Sequence, residues 1–141
     1  MNHKSSLFNT PRIKLFMITF EEMGQMLDEI ADQLPQEIYA RLNGGIFLSP
    51  DTKFHPQSVG ESLYVLGEYR YEPHGLGRYI TLFYGSIRNV HGLLSREQMI
   101  GKLRELLYHE LTHHLENLAG DKGLEIKDQE SLEEYRRRYK I

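Results

Sequence analysis

Two histidines and a glutamate have a spacing that suits metal-assisted hydrolysis, in the segment His109-Glu110-Leu111-Thr112-His113. Residues four apart lie on one face of an α-helix, so His109 and His113 can direct two imidazoles toward one metal ion. Glu110 lies beside that pair, where its carboxylate can take a proton from a water molecule. The spacing therefore predicts a zinc hydrolase site with two histidine ligands and a general base.

A helix must carry this motif, and the surrounding sequence predicts one that begins after Ser95. Ser95 and Gln98 have the spacing of a capping box, in which each side chain bonds the backbone of the other residue. An apolar stripe follows, comprising Ile100, Leu103, Leu107, Leu111 and Leu118. Gly120 is a natural end for this helix. We therefore predict a core helix whose polar notch carries the motif.

The sequence before that helix predicts a series of short helices and strands. Thr19 and Glu22 have the spacing of another capping box, for a helix that Pro35 ends. Further predicted elements are a short helix over 36–42, strands over 46–48, 63–70 and 78–84, a loop over 49–62 and a charged helix over 131–139.

The composition favours one soluble domain and argues against several classes of function. The 141 residues include 17 Lys and Arg and 20 Asp and Glu, a net charge of −3 that gives no attraction to nucleic acid or anionic membranes. No apolar run approaches the length of a membrane span. Cysteine is absent, so a zinc ion would need histidine and carboxylate ligands, and a cytoplasmic location is expected.

The first 16 residues carry scattered apolar side chains without the pattern of a signal peptide. We therefore predict that residues 1–16 form a disordered extension and that one domain spans 17–141.

The chain from Met17 onward resembles the small bacterial zincin-like metallopeptidases, also called minimal zincins. The resemblance lies in Leu34-Pro35, Gly67-Glu68-Tyr69, Ile80-Thr81-Leu82-Phe83 and the double histidine within His109 to His114. It implies a single α+β domain, in which a small sheet packs on the motif helix between N- and C-terminal helices. It also implies a zinc-dependent peptidase acting on peptides or proteins, with His109 and His113 as Zn²⁺ ligands and Glu110 as the catalytic base.

The resemblance further implies a third metal ligand, and here the sequence departs from the family pattern. Many members carry a glycine three residues after the second motif histidine and an aspartate three residues later. This chain has Glu116 at the first of these positions and lacks the aspartate at the second. Alignment of Ile126-Lys127-Asp128 with the apolar-x-Asp segment of the family makes Asp128 the expected ligand, with Asp121 and then Glu125 as alternatives.

Three further expectations concern the surroundings of the motif. His114 lies about 100° around the helix from His113, so we expect it to support or pack the site rather than bind the same ion. Candidates for stabilising an oxyanion are Tyr84, Arg88, His91 and Tyr135. The strand over 78–84 is expected to form a sheet edge that pairs with an extended substrate.

A different class of function also suits this sequence. The chain could be a zinc-containing binding or regulatory module that uses the zincin scaffold with little or no proteolysis. Its small size leaves little chain for a deep substrate cleft, and the irregular spacing of the third ligand favours the same interpretation.

Overall fold

A computed structural model describes residues 17–60, 63–120, 133–134 and 137–138. The predicted extension over 1–16 and most of the predicted helix over 131–139 lie outside these residues. In chain order, the described elements are α1 (Phe20–Asp32), a 3-10 helix (Gln36–Tyr39), β1 (Gly45–Ser49), β2 (Lys53–Phe54), β3 (Tyr64–Val65), β4 (Gly67–Glu72), β5 (Gly77–Phe83), α2 (Tyr84–His91) and α3 (Arg96–Gly120).

Helix α1 begins at the predicted capping box. The Thr19 hydroxyl oxygen accepts a hydrogen bond from the Glu22 backbone at 3.1 Å, and the Glu22 carboxylate accepts one from the Thr19 backbone at 2.8 Å. The helix buries one apolar face, which comprises Met23, Met26, Leu27 and Ile30. The helix predicted over 36–42 is instead a four-residue 3-10 helix that starts directly after Pro35.

The main sheet has three strands in the order β1-β5-β4. Strand β5 lies in the centre, parallel to β1 and antiparallel to β4. The expectation that 78–84 forms a sheet edge is therefore wrong, since β5 is paired along both sides. The alternation of its residues identifies a strand but carries no information about which strands flank it. The strand that packs on α3 and lies at the outside of this sheet is β4.

The strand predicted over 63–70 is divided between two sheets. Strand β3 pairs with β2 in a separate antiparallel ribbon, whereas β4 joins the main sheet. Leu66 lies between them, and its carbonyl oxygen accepts a hydrogen bond from the Phe83 backbone at 2.9 Å. The chain thus passes from one sheet to the other while it remains bonded to the end of β5. The loop predicted over 49–62 contains the short strand β2.

Helix α3 packs on the main sheet and on α1, and their apolar side chains form the core. Its predicted capping box is confirmed, because Ser95 and Gln98 exchange backbone-to-side-chain hydrogen bonds of 3.0 and 3.2 Å. The apolar residues that α3 buries are Met99, Leu103, Leu107, Leu111, Leu115 and Leu118. Ile100 is only half-buried, and Met99 occupies the core position in its place. The described helices include none that is both long and apolar enough to span a membrane.

Candidate functional site

His109 and His113 lie one turn apart on α3, with their side chains on its accessible side, as the spacing predicts. Their Nε2 atoms are 3.1 Å apart, and the two rings meet nearly at right angles. Two nitrogens bound to one tetrahedral zinc ion at ~2.0–2.1 Å would lie about 3.3 Å from each other. The two imidazoles therefore already converge as ligands of a shared ion would.

The second ring nitrogen of His113 faces a carboxylate. Its Nδ1 lies 3.3 Å from Oε1 of Glu116, almost one turn further along α3. Both side chains are exposed, so this contact alone contributes little to folding stability. Its consequence is chemical, because a carboxylate at Nδ1 favours the tautomer with the proton there and leaves Nε2 free to bind a metal.

Glu110 lines the same cavity as this pair and is 5% exposed. Gly67 of β4 is directly opposite: a methyl group added there would lie 3.4 Å from Oε2 of Glu110 and 2.6 Å from a methyl carbon of Leu82. A side chain at this position would therefore touch the Glu110 carboxylate and displace the end of the Leu82 side chain. Burial raises the pKa of the Glu110 carboxyl, against the opposing charges of the two histidines, and so makes it a better proton acceptor than an exposed glutamate.

These side chains line one open cavity of about 620 Å³ between β4 and α3. Its described lining comprises Gly67, Glu68, Tyr69, His109, Glu110, His113, Glu116 and Asn117. The sequence assigned a site role only to the three motif residues among them. Asn117 follows His113 by one helical turn, and this spacing could have identified it as a residue on the same face of the helix. The position of Tyr69 depends on the pairing of β4, which no local pattern specifies.

Glu68 lines the cavity, and two neighbouring cations balance its negative charge. Its carboxylate lies 2.6 Å from Lys53 Nζ and 3.1 Å from Arg70 Nε. Burial tends to raise the pKa of Glu68, but hydrogen bonds from Lys53 and Arg70 outweigh it and lower the pKa below its usual value. Glu68 is therefore ionised at neutral pH, and both of its cationic partners are engaged with it.

His114 lies on a different side of α3, and its side chain is fully buried. Its Nε2 is 3.0 Å from the Ala40 carbonyl oxygen, and its Nδ1 is 2.9 Å from the Tyr69 hydroxyl. A carbonyl oxygen only accepts, so Nε2 carries the proton and Nδ1 accepts from Tyr69. Burial lowers the pKa of His114, which keeps the ring neutral. These contacts agree with the supporting or packing role expected for this residue.

Three of the four oxyanion candidates chosen from the sequence, Tyr84, Arg88 and His91, do not line this cavity. Helix α2, which carries three of them, packs on β1, β2 and β3 rather than beside the motif. The Tyr84 hydroxyl donates to the Ile18 carbonyl at 2.7 Å, and Arg88 and His91 line a separate cavity. Tyr135 lies outside the described residues. The residue types of these candidates carried no information about which side of the sheet they face.

The three candidates for a third metal ligand, Asp128, Asp121 and Glu125, also lie outside the described residues. Within the part of the chain that is described, no cluster of three or more histidine, aspartate or glutamate side chains is arranged to hold a metal ion. For a metal site, the described residues thus supply the two converging imidazoles of His109 and His113, with the Glu110 carboxylate in the same cavity.

The protein is a small α+β domain with a mixed sheet, and its fold has a solved counterpart. A conserved hypothetical protein from Thermus thermophilus is 32% identical to this chain, with a TM-score of 0.62. The alignment covers 73% of this chain and 99% of the other. The chain belongs to the same family as that protein. No model of a known protein family matches the sequence, and no curated protein matches it.

Proposed function

We propose that this protein is a zinc-dependent metallopeptidase that hydrolyses peptide bonds. His109 and His113 would hold the ion through Nε2, and Glu110 would act as the general base. The observation that carries the proposal is the 3.1 Å convergence of the two Nε2 atoms in a cavity that the buried Glu110 also lines. The resemblance of the sequence to minimal zincins supports the same assignment.

A third ligand would come from the segment that follows α3. Asp128 is the first choice on the alignment with the apolar-x-Asp segment of the minimal zincins, and Asp121 and Glu125 follow in that order. A carboxylate would suit the site, since the chain has no cysteine and a histidine–carboxylate set is a common ligand set for catalytic zinc.

Zinc bound at this place would polarise the substrate carbonyl and make water more acidic. Glu110 would take the proton from the attacking water and return it to the leaving amine. Its burial limits contact with bulk water and favours the neutral form, so that the carboxylate takes up a proton more readily. Glu116 would hold the proton of His113 on Nδ1, so that Nε2 stays directed into the cavity.

A substrate has a natural place beside β4. In an antiparallel pair, hydrogen-bonded and non-hydrogen-bonded residues alternate along each strand. Leu66 is hydrogen-bonded to Phe83 of β5, so the next residue, Gly67, directs its backbone N–H and C=O away from β5. An extended peptide could pair with this side of β4 and pass in front of Glu110. This arrangement replaces the pairing with 78–84 expected from the sequence.

The experiment that tests the proposal is the change Glu110→Gln. Glutamine has nearly the same shape but cannot accept a proton, so we expect zinc to be retained at about one ion per chain. Hydrolysis of any peptide that the native protein cleaves should fall by at least ~100-fold. Zinc content by elemental analysis and turnover of a diverse peptide panel measure the two effects.

The matched control is Glu105→Gln, an exposed carboxylate on the same helix that does not line the cavity. It should leave both zinc content and turnover unchanged. Full activity in Glu110→Gln would contradict the role of Glu110. Zinc retention by the native protein without turnover of any peptide would favour the binding or regulatory module instead.

A further inference from the structure

Asn117 lies one helical turn after His113 on α3 and lines the same cavity. Its side-chain oxygen Oδ1 accepts a hydrogen bond from Nε of Arg78 at 2.8 Å. A guanidinium group only donates, so the atom that faces Arg78 must be the amide oxygen rather than the amide nitrogen. The orientation of the Asn117 amide is therefore determined by Arg78.

Arg78 is itself held firmly in place. Its side chain is buried, and its guanidinium carbon lies 4.1 Å from the centre of the Tyr71 ring. The Tyr69 hydroxyl lies on the same side of the amide, 3.4 Å from Oδ1 of Asn117. Side chains from β4 and β5 thus surround the oxygen of this amide, and a charged donor fixes it more strongly than a neutral one would.

The other arm of the amide carries two N–H donors and points away from Arg78. Among the residues that the structure describes, Asn117 Nδ2 has no hydrogen-bond acceptor. The side chain is only half-buried, so this nitrogen is accessible from the cavity that holds His113 and Glu110. A fixed donor in such a cavity suits an oxygen atom of a bound ligand.

The charges around the cavity indicate what kind of ligand oxygen would accept a hydrogen bond from Asn117 Nδ2. Glu68, Glu110 and Glu116 all belong to its lining, and no lysine or arginine is among the described residues of that lining. Glu68 is paired with Lys53 and Arg70, so a free carboxylate of a ligand would be repelled by Glu110 and Glu116, whereas a neutral carbonyl would not. Asn117 is neutral too, which matches an amide carbonyl rather than an anion.

We propose that Asn117 is a substrate-binding residue whose Nδ2 donates to a backbone carbonyl oxygen of an internal peptide segment. The inference rests on the proposed peptidase function and narrows its substrates to peptide bonds within a chain, as opposed to those next to a C-terminal carboxylate. Arg78 is a positioning residue, because it acts on the substrate only through Asn117.

The test uses the zinc-loaded full chain and two phosphinic peptides, in which a phosphinate replaces the scissile amide. One probe is acetylated and amidated at its ends, and the other has a free C-terminal carboxylate. Calorimetry should show tighter binding of the blocked probe to the native protein. Asn117→Asp and Asn117→Leu should both bind the blocked probe about tenfold more weakly, because each has lost the N–H donors.

The two variants control for each other. Aspartate keeps an oxygen for Arg78 but adds a charge, whereas leucine adds no charge but removes the oxygen. Zinc content and melting temperature are measured for both, and Glu105→Gln should bind the probe with native affinity.

Native affinity in both Asn117 variants would overturn the assignment of Asn117 and leave the peptidase proposal intact. Tighter binding of the free-carboxylate probe would overturn the choice of internal peptide segments. A native protein that binds no zinc, or binds zinc but neither probe, would overturn the peptidase proposal and this inference with it.

Discussion

His113 and His114 are adjacent in the sequence but occupy different sides of α3. The His113 side chain is 48% exposed, with one ring nitrogen facing His109 and the other facing Glu116. The His114 side chain is fully buried, and its two nitrogens meet the Ala40 carbonyl and the Tyr69 hydroxyl. The imidazole of His113 thus has its partners at the surface, whereas the imidazole of His114 has its partners in the interior.

This difference in burial assigns different roles to the two adjacent histidines. A buried polar ring with both nitrogens bonded stabilises the fold, because removing it breaks two buried hydrogen bonds. An exposed ring that converges on another imidazole contributes little to folding and remains accessible to a ligand. We therefore expect changes at His114 to alter stability and changes at His113 to alter metal binding.

The largest expected effect is that of His114→Ala on folding. The change leaves a cavity in the core and removes one hydrogen bond each from the Tyr69 hydroxyl and the Ala40 carbonyl. The free energy of unfolding should fall by about 3–4 kcal/mol, measured by urea denaturation of the zinc-free protein. A loss below about 0.5 kcal/mol would show that the interior contacts of His114 do not hold β4 against α3.

His113→Ala is the opposite case. It removes one of the two converging nitrogens, so zinc affinity should fall by about a hundredfold or more, equivalent to about 2.7 kcal/mol. The zinc-free variant should keep its free energy of unfolding to within about 0.5 kcal/mol, since the side chain is exposed. Competition with a zinc chelator measures the first quantity, and an unchanged affinity would exclude His113 from the ligands.

The smallest of these effects belongs to Glu116→Ala. Loss of the carboxylate at Nδ1 of His113 leaves the imidazole free to exchange tautomers, so zinc affinity should fall by about tenfold. Nitrogen NMR of the zinc-free protein should show the proton of His113 moving from Nδ1 toward an equal distribution. An unaltered tautomer would contradict the orienting role of Glu116, whatever the metal affinity.

Local signals predicted the parts of the structure that depend on nearby residues. Both capping boxes form as expected, because each links residues only three apart. The two motif histidines converge for the same reason, since four residues span one turn. The order of the strands could not be predicted in this way, and β5 was wrongly expected at an edge.

The remainder of the site depends on contacts that are distant in sequence. Tyr69 meets His114 across 45 residues, and Arg78 meets Asn117 across 39. Neither pair carries a local pattern, because the partners come together only when β4 and β5 pack on α3. The sequence therefore located the candidate ligands and the candidate base but not the wall of the cavity that faces them.

The β4–β5 hairpin also affects the order in which the domain assembles. Glu72 pairs with Gly77 across a short turn, whereas Gly45 of β1 must find Tyr79 across the whole segment between them. Loop closure is cheaper and faster for the nearer pair. We therefore expect the strand that faces the histidines to be formed early in folding, before the distant helix docks on it. In a newly synthesised chain, the cavity that contains the two histidines and Glu110 would then form only at the last stage of folding, when the helix docks on this strand.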